Sequence, residues 1–331
     1  MTDSGNFRKF YEDELVPHLT NLEVFRKKIY AGIVLFVLLF FLGVFSSIYY
    51  LGGFYEFSFE NITNKNFIIA LLLLVFWAMI GVLVFKKLFE NKLAGVRYKF
   101  KRSVIVKIVE FIDPGLEYFE DQLISQDEYE ASMIFPVKAK RFRGEDYVLG
   151  RDGKISFKFS ELHSRYFLKD HRGRKAFITI FHGLFFIADF HKDFNCETIV
   201  LPDTAHKLFG PLGDFVQKHN IFRDKVIKVD DPEFDKEFVV YGNNPEVSAK
   251  ILTPRLLKRI TDFKKKSGHK VFISFIGSKV NVAISLTKDL FEPPIFGSML
   301  VYDTIYENYK YLILATGIVK DLDLNSDIWA D

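Results

Sequence analysis

Residues 29–54 read IYAGIVLFVLLFFLGVFSSIYYLGGF, and none of them is charged. A helix needs about 20 apolar residues to cross the hydrocarbon core of a bilayer, so this run is long enough to span it. A second run, FIIALLLLVFWAMIGVLVF from Phe67 to Phe85, follows after a short interval. Two uncharged runs of this length predict a transmembrane hairpin rather than a pair of buried core helices. Tyr49, Tyr50 and Tyr55 stand at one end of the first run, where interfacial aromatics are expected. A cleaved signal peptide would carry an apolar core of about 7–15 residues close to the N-terminus. Here a polar stretch, Met1 to Lys28, precedes a longer run, and a second span follows it.

The flanks of the two runs set an expected orientation. Arg26, Lys27 and Lys28 precede the first, and Lys86, Lys87, Lys92, Arg97, Lys99, Lys101 and Arg102 follow the second. The intervening loop, Glu56 to Asn66, has only Lys65. Positive charge on both outer flanks places both termini in the cytoplasm, so the expected location is the cell inner (cytoplasmic) membrane, with a multi-pass chain. The seven basic residues after the second run are also candidates to hold anionic lipid headgroups. Asn61-Ile62-Thr63 matches a glycosylation acceptor pattern that is too short and common to carry functional weight.

Composition excludes several classes. The net charge of +3 over 331 residues does not suggest a nucleic-acid binder. Cys196 is the only cysteine, which rules out an intramolecular disulfide and a Cys-rich metal site. The chain divides into a cytoplasmic N-terminal segment (1–28), the transmembrane hairpin (29–86), a basic helical neck (87–136) and a cytoplasmic β-rich α+β domain (137–331). Asp113-Pro114-Gly115 breaks the neck, and Ser125-Gln126-Asp127-Glu128 has the spacing of a capping box for a helix running to about Phe135.

From Val137 onward, Phe, Val, Ile and Tyr cluster in short runs bounded by Gly, Asp and Asn. Tyr147–Leu149, Ile155–Phe159, Phe177–Ile187, Thr198–Leu201, Phe238–Tyr241, Val271–Ile276 and Val280–Leu286 read as strands. Ile155, Phe157 and Phe159 alternate with Ser156 and Lys158, as a half-buried strand does, while Leu184 to Ile187 is continuously apolar and predicts burial on both faces. Helices are expected over Thr204–His219, over Pro254–Lys266 with Thr253 as N-cap, and over Gly297–Ile318. Tyr147-Val148-Leu149-Gly150 before Ile155-Ser156 is echoed by Val239-Val240-Tyr241-Gly242 before Val247-Ser248, which admits two related halves. Leu322, Leu324, Ile328 and Trp329 make an apolar end that is expected to dock as a strand or hook.

The most distinctive stretches are Phe181-His182-Gly183-Leu184-Phe185-Phe186-Ile187-Ala188-Asp189-Phe190, Leu201-Pro202-Asp203, Asp231-Pro232-Glu233-Phe234, Leu252-Thr253-Pro254, Leu290-Phe291-Glu292-Pro293, and Gly317-Ile318-Val319 running on to Trp329. In this order they resemble an uncharacterised bacterial membrane-protein family, domain of unknown function 3137. The resemblance runs from about the first span to the C-terminus. It implies the two-span architecture, no assigned enzyme activity, and a LemA-type membrane protein as a partner.

Motifs for nucleotide binding, zinc proteolysis and the hydrolase elbow are absent from the sequence. The metal candidates are Asp189, His191 and Asp193, which would share one face of a strand while His182 falls on the other. Asp230, Asp231, Glu233 and Asp235 form an acidic run better suited to caps than to acid–base work, and Glu161 with His163 is a weaker pair still. No catalytic residue and no cofactor is assigned. The sequence therefore points to a membrane-anchored cytoplasmic binding or scaffold module. The alternatives are an enzyme with a dispersed site, or a lipid sensor or carrier. The lipid bilayer is the expected partner.

Overall fold

A computed structural model describes residues 4–55, 64–169, 175–190, 196–204, 226–294 and 296–324. The expected Thr204–His219 helix falls almost wholly outside them, as do the glycosylation pattern, Ile328 and Trp329. The chain divides into two compact units, the first being Met1–Ile105 with Glu292–Ile305 and the second Val106–Phe291 with Tyr306–Asp331. The first division falls inside the stretch read as the neck.

The first unit is helical. Ser4–Phe10, a five-residue π-helical turn at Tyr11–Leu15, and Val16–Tyr55 follow one another without a break. Asn64–Phe85 continues through a second π-helical turn, Lys86–Glu90, into Asn91–Phe100 and a third, Lys101–Ile105. The two long apolar helices pack through small residues. A side chain on Gly43 would meet the Trp77 ring at 2.7 Å, and one on Gly81 would meet the Phe40 ring at 2.7 Å. Trp77 Nε1 donates to Ser47 Oγ at 3.2 Å, and Ser47 in turn donates to the Gly43 carbonyl at 2.8 Å. Away from this seam the side chains are bare: Leu42 is 66% exposed and Phe45 68%. The N-terminal helix, by contrast, buries Phe7, Tyr11, Leu15, Leu19 and Leu22. Glu23 is buried beside Arg26, which donates to both of its oxygens at 2.7 and 2.9 Å and holds its carboxyl down at about 2.

Among the described residues, the second unit is built on one nine-stranded sheet. Its strands are β1 (Glu117–Phe119), β2 (Arg141–Asp152), β3 (Ile155–Lys169), β4 (Lys175–Asp189), β5 (Glu197–Pro202), β6 (Val226–Ile227), β7 (Phe238–Gly242), β8 (Lys270–Ile276) and β9 (Lys279–Ser285). They lie in the order β1-β2-β3-β4-β9-β8-β5-β7-β6, and the pairings among them are antiparallel. N-terminal apolar helices followed by an antiparallel sheet with helices make the chain α+β.

Leu184 to Ala188 is buried throughout, so the centre of β4 is covered on both faces. One face forms a core of Leu162, Phe181, Phe185, Phe272 and Ala283 under Tyr129, Ile134 and Phe135. On the other, Phe186 stacks on Phe157 with ring centroids 5.5 Å apart. The helix Pro254–Ser267 begins as its sequence dictates, with the Thr253 hydroxyl accepting from Leu256 N, and it buries Leu256, Leu257, Ile260 and Phe263. The helix after Ser125 is shorter than expected: it spans Gln126–Ala131, and Ser125 Oγ accepts from Glu128 N. The last long helix also starts later, covering Tyr302–Thr316. The apolar end docks as far as it is described, with Leu322 and Leu324 buried and Asp323 paired with Arg255.

The expectation of two related halves is corrected. Ile155-Ser156 opens strand β3, whereas its supposed counterpart Val247-Ser248 lies in the helix Pro245–Ile251. The echo arose because β-rich segments share a composition, while Asn244 and Pro245 supply an N-cap and a first-turn proline that start a helix there.

Candidate functional site

β3 and β4 pair so that His163 faces His182 and Glu161 faces Leu184. Residues 161 and 163 are two apart on a strand and share a face, so this register gathers Glu161, His163 and His182 on one side of the sheet. The chain leaving β9 completes the group. Leu286 N donates to the His182 carbonyl at 2.7 Å, and the following residues carry Asp289 and Leu290 over the strand pair. Gly183 permits this approach. Its φ is +147°, and a Cβ there would lie 2.1 Å from the Ile284 carbonyl oxygen.

His182 Nε2 lies 3.2 Å from Glu161 Oε1 and 3.0 Å from Asp289 Oδ1. The other oxygen of Glu161 accepts from Leu290 N at 2.8 Å. Glu161 is only 4% exposed, and burial raises its pKa against the lowering effect of its two hydrogen bonds. The hydrogen bond to Glu161 raises the pKa of His182 in turn. The pair therefore holds a proton more firmly than either group would alone. His163 behaves in the opposite sense. Its ring stacks on His182 with centroids 4.6 Å apart, and burial and the neighbouring charge of His182 push it down to about 4. Arg165 Nε donates to His163 Nε2 at 2.9 Å, which assigns the proton of the neutral ring to Nδ1. One imidazole thus remains neutral while its stacked neighbour is poised to carry charge.

Glu161, His182 and Asp289 are a donor set that suits a divalent cation, since one ligand atom from each lies within 4.8 Å of the others. His182 meets two carboxylates at Nε2, an arrangement suited to holding a proton or a cation. The sequence offered Glu161 with His163 as a pair and His182 apart from them, and only the β3–β4 register unites the three. Asp289 was missed because it arrives from beyond β9, and its one local signal is the adjoining Leu290-Phe291-Glu292-Pro293 motif.

The other sequence candidates are dispersed. Asp189 sits at the far end of β4 and accepts from Ser278 Oγ at 2.9 Å, while His191 and Asp193 lie outside the described residues. Asp231 caps the helix Pro232–Asp235 by accepting from Glu233 N and Phe234 N, and Glu233 pairs with Lys265. Of the basic residues read as headgroup ligands, Lys101 is corrected. It is 3% exposed and its ammonium lies 3.4 Å from Glu292, because the helix turns it inward. Arg97 pairs with the same carboxylate at 3.0 Å. Lys86, Lys87, Lys92, Lys99 and Arg102 are exposed.

Comparison with known proteins adds one firm point. Residues 179–324 match the family described as Protein of unknown function (DUF3137). The resemblance read from the sequence is borne out over this stretch, which is less than half of the chain. The DUF3137 match starts in β4 just before His182 and ends at Leu324, so it includes His182 and Asp289 but not Glu161 or His163. The crystal structure of the mycobacterial trehalose monomycolate transport factor A, TtfA, aligns with a TM-score of 0.32 at 9% identity, over 65% of this chain and 94% of that one. That score is too low to indicate a shared fold. No curated protein matches the chain.

Proposed function

We propose that this protein is a membrane-anchored binding module. Its two long helices cross the cell inner membrane, and its sheet unit and both chain ends lie in the cytoplasm. The observation that carries the reading is the bare apolar surface of the helices. Their most hydrophobic stretches bury none of their residues within the protein. A contiguous surface of this kind is far larger than the apolar patches that soluble monomers expose. The seam of Gly43, Gly81, Ser47 and Trp77 supports it, because helices in lipid associate through small residues and interhelical hydrogen bonds. The orientation rests on the basic flanks and on the loop between the runs, whose one basic residue is Lys65.

Headgroup binding narrows to the first turns after the second run. At 1.5 Å per residue, Lys86, Lys87 and Lys92 lie within about 10 Å of Phe85, whereas Lys99 and Arg102 lie about 21–26 Å beyond it. Surface attraction decays over about 8 Å at physiological salt, so only the first three fall within useful range. An enzyme with a dispersed site remains the second reading, favoured by the convergence of Glu161, His182 and Asp289. The LemA-type partner rests on the family resemblance alone. Alkaline carbonate extraction of cell membranes tests the anchor: the full chain should stay in the pellet and leave it only with detergent. Release by carbonate would contradict the reading.

A further inference from the structure

We infer that Phe296 and Gly297 form a third membrane contact, the exposed tip of a rigid loop that dips into the interfacial layer beside the start of the first span. The inference rests on the membrane-anchored reading above. Phe296 is 79% exposed, and Gly297 is exposed beside it. Exposed apolar residues on a loose loop would mean little, but this segment is fixed at both ends. Glu292 receives Arg97 at 3.0 Å and Lys101 at 3.4 Å. Further along, Met299 is fully buried and its N–H donates to the buried carboxylate of Glu23 at 3.0 Å. The Leu300 carbonyl accepts from the Tyr11 hydroxyl at 2.8 Å. The same contacts that hold the backbone, with Leu300 fixed further from the span beside Tyr11, leave Phe296 at the tip without cover.

The position of the loop along the helix decides what covers it. The Phe296 ring meets the Tyr30 ring edge-on, with centroids 6.5 Å apart. Tyr30 is the second residue of the uncharged run that starts at Ile29, and exposed Lys27 and Lys28 come immediately before it. That run, 26 residues long, measures about 39 Å as a helix, against a hydrocarbon core of about 30 Å. Its ends therefore reach into the headgroup layer, which is where an aromatic such as Tyr30 is most stable and where lysines meet lipid phosphates. Phe296 stands at the same level, so its exposed ring continues the apolar surface of the span rather than facing bulk water. This continuity points to lipid as the occupant, ahead of a second protein.

The test uses the full chain, reconstituted in vesicles, with one tryptophan at a time. Trp77 and Trp329 are the only natural ones. The first variant carries Trp77→Phe, Trp329→Phe and Phe296→Trp. A second places the reporter by Gly297→Trp in the same background, in case the first disturbs folding, at a position where an added Cβ meets, among the described residues, only Pro294 at 3.6 Å. A third, with Trp329→Phe alone, keeps Trp77 as the mid-span reference. Lipids brominated near the headgroup should quench the reporters at 296 and 297 strongly, and lipids brominated near the chain end should quench them less. Trp77 should show the reverse order. Quenching of Trp77 with water-like, unquenched emission from both loop reporters would overturn the loop contact and leave the anchor standing. Blue-shifted loop emission that no brominated lipid quenches would mean a protein cover and would equally overturn it. If Trp77 itself escapes quenching, the membrane reading fails.

Discussion

Replacement of Phe186 by alanine tests the packing of the sheet unit where it is densest. Phe186 lies at the centre of β4, opposite Phe159 on β3 and Val282 on β9, and stacks on Phe157 at 5.5 Å. Its side chain is essentially inaccessible to water. A ring of this size buries roughly 150–250 Å², so at about 25 cal/mol per Å² its removal from water contributes about 4–6 kcal/mol. Measured Phe→Ala changes in cores cost about 3–5 kcal/mol once partial collapse of the cavity is included. For a unit of this size each kcal/mol lowers the melting temperature by roughly 2–4 °C, which predicts a fall of about 6–20 °C. The assay is near-ultraviolet circular dichroism of the full chain in detergent, with Phe186→Leu as an intermediate control. A fragment starting at Val137 is unsuitable, because it would remove Ile124, Tyr129, Ile134 and Phe135 from the core. A melt unchanged within error would refute the burial argument and the two-faced packing of β4.

Three further outcomes follow from the geometry. Gly183→Ala should destabilise the sheet unit and separate Asp289 from His182, because the added carbon would sit 2.1 Å from a backbone carbonyl; an unaltered melt would mean that β4 and β9 can part freely. Histidine ring resonances should show His182 titrating above 6.5 and His163 near 4, and Glu161→Gln should bring His182 back down; equal pKa values for the two rings would remove the proposed pairing. Because the folded-state value of His182 is raised, its contribution to stability is complete below pH 6.5 and is lost as the pH climbs through that higher value. Glu292→Ala should destabilise the helical unit more than Lys101→Met does, since the first leaves a buried ammonium without this carboxylate and the second removes the charge; the reverse order would show that the pair is incidental.

Much of this fold was legible because burial imposes a period. Ile155, Phe157 and Phe159 announce a strand with one apolar face, and Leu184 to Ile187 announces one with two. Thr253-Pro254 starts a helix by local chemistry that needs no tertiary partner. Features that depend on distant pairing were not legible. β1 is three residues long, too short to show a period, and exists because it pairs with β2. The candidate site was half visible: Glu161, His163 and His182 each stood out as polar residues within apolar strands, but nothing local says that strand register unites them. Asp289 depends on the turn after β9 and on the space left by Gly183. Lys101 looked like its exposed neighbours in the basic run, and only the helix face distinguishes it.

The central claim, two membrane spans with the sheet unit on the cytoplasmic side, is tested most directly by cysteine labelling in intact cells. Cys196→Ser removes the single natural cysteine, after which Ser58→Cys marks the loop between the spans and Lys154→Cys marks the exposed β2–β3 turn. The account predicts that an impermeant maleimide labels the first site in intact cells and the second only after permeabilisation. Labelling of Lys154→Cys in intact cells, with Ser58→Cys protected, would contradict it.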